Sequence, residues 1–132
     1  MKTKPAIEDL LNHLTYLGYE IKDKEDGTFI AKHDRLIDLG IEDKAAGIFL
    51  YSWFESNELA GIDRANFLEC LNGINGKAVT LRFYTDKEND LLMHAFYLKP
   101  YDRVGFAAFM DALNHDIQVL FCDDSGVAKY CG

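Results

Sequence analysis

The fold turns on three consecutive stretches: Val79-Thr80-Leu81-Arg82-Phe83-Tyr84-Thr85, the polar segment Asp86-Lys87-Glu88-Asn89-Asp90, and the return run Leu91-Leu92-Met93-His94-Ala95-Phe96-Tyr97-Leu98. Val79, Leu81 and Phe83 alternate with Thr80, Arg82 and Tyr84, the period-two signature of a strand with one buried face. A cluster of turn-forming residues separates the two apolar runs, so the stretch is predicted to form an antiparallel hairpin. With 86–90 as the turn, Phe83 stands opposite Met93 and Leu81 opposite Ala95, all facing the core. The other face then carries Arg82, Tyr84, Leu92, His94 and Phe96, more apolar surface than a solvated face needs. A register slip of one residue would exchange the two faces.

Upstream, Ile7, Leu10, Leu11, Leu14 and Leu17 recur on one helical face, with Pro5 suited to the first turn and Gly18 to a left-handed stop. Tyr19-Glu20-Ile21, a turn over Asp23 to Gly27, and Thr28 to Lys32 predict a first hairpin. Ile37, Leu39 and Ile41 alternate next, and a breaker segment from Asp43 to Gly47 precedes Ile48-Phe49-Leu50-Tyr51-Ser52-Trp53-Phe54. This region supplies three or four strands. Asp63 is placed to cap a second helix with Phe67, Leu71 and Ile74 inward, ending near Gly73 and Gly76. Beyond Pro100 and a possible cap at Asp102, the residues Phe106, Phe109, Met110, Leu113, Ile117 and Leu120 mark a third helix. The order is α-β(3-4)-α-β-β-α, an α+β fold with about five antiparallel strands and three helices.

At 132 residues the chain is read as a single domain, compact over about 5–121 with a loose polar tail at 122–132. Fourteen Lys and Arg stand against 22 Asp and Glu, a formal net charge of −8. That balance opposes binding to nucleic acid or to an anionic membrane surface. Met1-Lys2-Thr3-Lys4-Pro5 begins like a signal peptide, but Glu8, Asp9, Asn12 and His13 fall where its apolar segment would have to be. No apolar run reaches the length of a membrane span. Cys70, Cys122 and Cys131 are odd in number and form no C-x-x-C pair, which favours reduced thiols in the cytoplasm.

Each motif with a chemical precedent lacks a member that the chemistry needs. Gly76-Lys77 is not a phosphate loop, since Leu71 stands where the first Gly belongs and Ala78 replaces the Ser or Thr that would hold magnesium. Gly73-Ile74-Asn75-Gly76 matches a G-x-x-G clamp for RNA but lacks the basic surface, so the glycines are read as a helix stop. Asp86, Glu88 and Asp90 alternate like calcium ligands, yet Leu91 and Tyr97 occupy the Gly and Glu positions. His33-Asp34 and His115-Asp116 spell the pair found in metal phosphohydrolases without the further ligands such sites need. His13 and His94 add no matching spacing, and the histidines are read as surface or hairpin residues. Cys70 has no identifiable base and is read as a buried thiol. No catalytic residue, metal or cofactor is expected.

The element order, with Leu71-Asn72-Gly73-Ile74-Asn75 followed by Val79 to Tyr84, an acidic turn and Leu91 to Leu98, resembles the YbjN family. Its bacterial members share the fold of type III secretion chaperones, and the resemblance spans Ile7 to Phe121 through pattern and topology. It implies a secretion-chaperone-like fold, no catalytic residues to carry over, and either a homodimeric chaperone that binds an unfolded segment or a non-enzymatic regulator. Leu92 and Phe96 occupy hairpin positions where many YbjN-like chains would have polar residues, which favours a contact role. The expected protein-binding residues are therefore Tyr84, Leu92 and Phe96, with Tyr51 and Trp53 able to join either face. The leading expectation is a cytoplasmic adaptor or chaperone-like module that forms a homodimer and binds a peptide segment of a protein partner. A YbjN-like regulator of bacterial signalling is the first alternative, and a small-molecule-binding domain or enzyme the second.

Overall fold

The computed structural model describes residues 6–131; Met1 to Pro5, with the expected place of Pro5 in the first helical turn, and Gly132 lie outside the described residues. The elements run α1 (Ala6–Tyr16), β1 (Glu20–Glu25), β2 (Thr28–Lys32), β3 (Leu39–Asp43), β4 (Gly47–Phe54), α2 (Glu58–Ile62), α3 (Arg64–Lys77), β5 (Arg82–Thr85), β6 (Leu91–Leu98) and α4 (Arg103–Phe121), followed by short 3-10 turns at Asp123–Ser125 and Val127–Tyr130. The strands form one six-stranded antiparallel sheet in the order β1-β2-β3-β4-β6-β5. The α+β class stands, with six strands where about five were expected and a fourth helix. The chain divides into two compact units, one holding everything up to Ser52 plus Phe96–Phe109, the other Trp53–Ala95 plus the chain from Met110 onward.

In the first unit α1 buries Leu10 and Leu14 and stops where expected, at Gly18 with φ of 101°. His33 secures that corner: its Nδ1 accepts the N–H groups of Arg35 and Leu36, so its Nε2 carries the proton and donates to Leu17 O at 3.2 Å. The first hairpin turn is tighter than expected. Asp26 and Gly27 take left-handed φ of 50° and 78°, and Asp23 to Glu25 belong to β1. Two left-handed residues give the hand of turn that suits twisted strands. Leu39, Ile41, Ile48 and Leu50 supply the buried side of β3 and β4. Asp102 caps α4 as expected, accepting the Gly105 N–H at 2.7 Å, and Phe106 packs edge-on to Tyr97 at 5.1 Å.

The second unit departs further from expectation. The segment before α3 forms α2, one short helix capped by Asn57, whose side chain accepts the Leu59 N–H at 3.0 Å. Asp63 stands at the N-cap of α3 as expected but makes no side-chain capping bond; its carboxylate accepts from Asn66 Nδ2 and from the Tyr130 hydroxyl at 2.8 Å. The helix ends at Lys77, beside Gly76 as expected, but neither glycine forms the cap: both lie inside the helix and Ala78 is the C-cap. Both glycines face open space, while Phe67, Leu71 and Ile74 are buried, so packing outweighs the roughly 1 kcal/mol that an exposed helical glycine costs.

Residues 79–81 do not enter the sheet ladder either, because a carboxylate takes their N–H groups. Asp116, fully buried on α4, accepts from Val79, Thr80 and Leu81 through its two oxygens, with the Thr80 contact at 2.6 Å. Burial alone would raise this carboxyl, but the N–H donors of Val79, Leu81 and Thr80, together with His115, hold it below its ordinary value. The tail is not loose. Val127 and Tyr130 are buried, Tyr130 packs on Phe67 at 4.9 Å, and Asn57 binds the Tyr130 and Lys129 carbonyls at 2.8 Å.

Asp116→Ala should lower stability by about 3 kcal/mol or more, since three buried or half-buried donors lose their acceptor. Because the folded carboxyl lies below its unfolded value of 3.8, its contribution is full above that pH and is lost as pH falls through the folded value. Urea denaturation between neutral and acidic pH should show a shallower acid loss in Asp116→Asn than in the native protein. Tyr19 offers a contrasting case: its hydroxyl is buried without a hydrogen-bond partner among the described residues, and burial with Asp38 nearby pushes the phenol up to about 12. Tyr19→Phe should therefore be neutral or stabilising by up to about 1 kcal/mol. A loss beyond that in chemical denaturation would show that the hydroxyl is satisfied in solution.

Candidate functional site

The hairpin register is the one read from sequence. Phe83 pairs with Met93, Arg82 with His94 and Tyr84 with Leu92. Leu81, Phe83, Leu91, Met93 and Ala95 are all buried, which fixes the opposite face of β5 and β6 as the outer one. In the second unit that face carries Tyr84, 41% exposed, directly across from half-buried Leu92. Tyr84 also meets the His94 ring edge-on at 5.2 Å. Trp53, at the end of β4, is 53% exposed on the outward side of its strand, alternating with buried Ser52.

The other two expected contact residues, Tyr51 and Phe96, belong to the first unit and have a structural task. The Tyr51 ring lies over Gly40, its cross-strand partner, on ground that any side chain at position 40 would occupy. Phe49 stacks on Tyr51 at 5.6 Å. Phe96 covers Gly47 in the same way, its ring atoms 2.9 Å from where a Cβ would sit, and it is still 42% exposed. Bare backbone in a sheet is weak ground, and a ring laid over it restores the lost packing.

Each unit also carries a groove among its described residues. In the first unit, α1 and the start of α4 enclose about 730 Å³ lined by Asn12, His13, Tyr16, Tyr101, Arg103 and Val104. His13 was read as a surface histidine. It is half-buried, 2.6 Å from the Tyr101 hydroxyl through Nδ1, and edge-on to Phe106 at 5.0 Å. Burial, and then Arg103, lower its affinity for a proton. The link to Tyr101 spans 88 residues and carries no local signal. In the second unit, a groove of about 470 Å³ runs between α3 and the end of α4, with Cys70, Gly73, Cys122 and Ser125 on its walls. Cys70, Cys122 and Cys131 carry free thiols, Cys70 half-buried and Cys122 exposed. Among the described residues, no three His, Cys, Asp or Glu side chains are grouped to hold a metal ion. His115, beside Asp116, serves the backbone clamp at 3.2 Å.

The Gly40 and Tyr51 arrangement can be tested directly. Alanine ordinarily strengthens a strand relative to glycine. Gly40→Ala should instead destabilise by about 1–3 kcal/mol, because the Tyr51 ring must move. The same substitution in a Tyr51→Ala background should lose most of that cost, a coupling readable from a double-mutant cycle in urea.

No protein-family model matches the chain, and no curated protein matches it. Among solved structures it is similar to the crystal structure of YbjN from E. coli, a protein named as a candidate transcription regulator. The likeness has a TM-score of 0.72 at 16% sequence identity and covers 97% of this chain and 96% of that one. Among the described residues no helix is long and apolar enough to cross a membrane. The element order that resembles YbjN in the sequence is thus matched in three dimensions, and the chain carries a YbjN-like fold.

Proposed function

We propose that this chain is a non-enzymatic, protein-binding regulator of the adaptor type, which pairs with a second copy and takes an apolar segment of a partner on the outer face of its sheet. The observation that carries the reading is the outer side of the β5–β6 hairpin, where Tyr84 and Leu92 stand as cross-strand partners opposite a fully packed core face. Contiguous aromatic and aliphatic surface on a folded domain marks an interaction site. The likeness to YbjN supports the regulator class. The net charge of −8 supports action through protein contact in the cytoplasm rather than through DNA or a membrane surface. A ligand-binding alternative has the groove beside His13 in its favour, although Tyr16, 87% exposed, and Val104, 72% exposed, leave that groove open.

Tyr84→Asp and Leu92→Asp are the tests. Both should remain folded, within about 1 kcal/mol of the native protein for Tyr84→Asp, because that side chain already meets water. Each should shift the sedimentation mass from dimer toward monomer and weaken capture of unstructured apolar peptides in fluorescence anisotropy. Duplex DNA at physiological salt should leave the sedimentation of the native protein unchanged. Folded variants that keep both self-association and peptide capture would overturn the outer face as the binding surface.

A further inference from the structure

We propose that Asn75 is an edge latch: its side-chain amide takes the place of a neighbouring strand along β5 and keeps that edge of the sheet from pairing with another chain. β5 is terminal in the strand order, so among the described residues no strand lies on one side of its backbone. Along an antiparallel strand, successive residues turn their N–H and C=O groups toward the neighbour and then away from it. Phe83, inside β5, donates its N–H to Asn75 Oδ1 at 2.7 Å and accepts from Asn75 Nδ2 at 2.8 Å. Both groups are committed to a side chain on α3, which places them on the side away from β6.

A carboxamide carries one acceptor and paired donors in one plane, so it reproduces the two-bond exchange that one residue of an adjacent strand would make. Two positions earlier, Leu81 gives its N–H to Asp116 Oδ2 at 2.8 Å. An incoming strand needs consecutive outward-facing groups, and here the first two such positions are already taken. β1, at the opposite end of the strand order, is guarded by different means: Glu20, Lys22, Asp23 and Lys24 are exposed charges along it. Charge serves at one edge, whereas the short sequence Arg-Phe-Tyr-Thr of β5 has one charge only and relies on the latch. This inference does not rest on the outer-face reading, since edge and face are separate surfaces of the same strand.

Amide hydrogen exchange and sedimentation together test it. In the native protein the Phe83 amide should be protected although it points off the edge of the sheet. Exchange as fast as that of Lys87, in the exposed turn, would overturn the latch. Asn75→Ala, with its fold verified by circular dichroism and a cooperative melt, should exchange at Phe83 about tenfold faster or more. It should also self-associate beyond the native protein as concentration rises. A folded Asn75→Ala with a faster Phe83 amide but native sedimentation would overturn the edge-closing role. Should Asn75→Ala fail to fold, Asn75→Asp decides by sedimentation: it keeps an acceptor for the Phe83 N–H, so that amide should stay protected, and it loses the donor to Phe83 O, so self-association beyond the native protein is expected and native sedimentation would overturn the edge-closing role.

Discussion

One buried carboxylate governs how the second unit is assembled. Between the end of α3 at Lys77 and the start of β5 at Arg82 the chain must leave a helix and enter a sheet, and neither ladder serves residues 79–81. Orphaned N–H groups at such a junction are costly in the interior, and an isolated buried charge is costlier. Asp116 settles both at once, its anion offset by Val79, Thr80 and Leu81 and their N–H groups given an acceptor. The arrangement fixes α4 against the entry to β5 across 35 residues of sequence. The direction in which β5 leaves that junction decides which side of Phe83 reaches the core and which groups reach Asn75.

The outer face shows how one set of side chains can serve stability and exposure together. Tyr51 and Phe96 lie over glycines, so they are anchored by the backbone they cover, yet Phe96 keeps two-fifths of its surface in water. Rings held this way give up little further freedom when a partner arrives, which lowers the entropic cost of association. Tyr84 has Leu92 across the strand and His94 edge-on beside it, covers no glycine, and keeps 41% of its surface in water. Aromatic surface is therefore weak evidence for binding at Tyr51 and better evidence at Tyr84.

The hairpin from Arg82 to Leu98 was legible because two physical signals agreed there: period-two alternation in both strands and a polar turn between them, the length of the turn deciding which face points inward. α1 and α4 were legible for the same reason, since their apolar residues repeat over several turns. What escaped had no period to read. α2 is too short for periodicity and is announced only by Asn57 as a cap. Gly73 and Gly76 signal a stop locally, but Ile74 is held in the core and Asn75 on β5, and tertiary contacts prevail over propensity. Tyr130 is a single anchor whose partners, Asp63 and Phe67, lie far back in the chain. Asp116 sits on the buried stripe of α4 between Leu113 and Leu120, and a lone carboxylate among apolar residues was the available sign of a clamp. The outer-face residues could be placed by register, whereas the glycine beneath each ring depends on the neighbouring strand.

Each compact unit is built from two separated stretches, and this bears on how the protein is made. Synthesis delivers the first part of the first unit and then all of Trp53–Ala95 before Phe96–Phe109 emerges to complete the earlier core. Until then His13 on α1 lacks Phe106, and Gly47 on β4 lacks the Phe96 ring that covers it. Nascent domains ordinarily fold in sequence order as they leave the ribosome. Here that order is interrupted by design of the topology: the first half must wait, partly open, while the second is translated. A delay of that kind exposes sticky strands to passing chains, so ribosome-associated holdases and the pace of translation between Trp53 and Phe96 become determinants of yield.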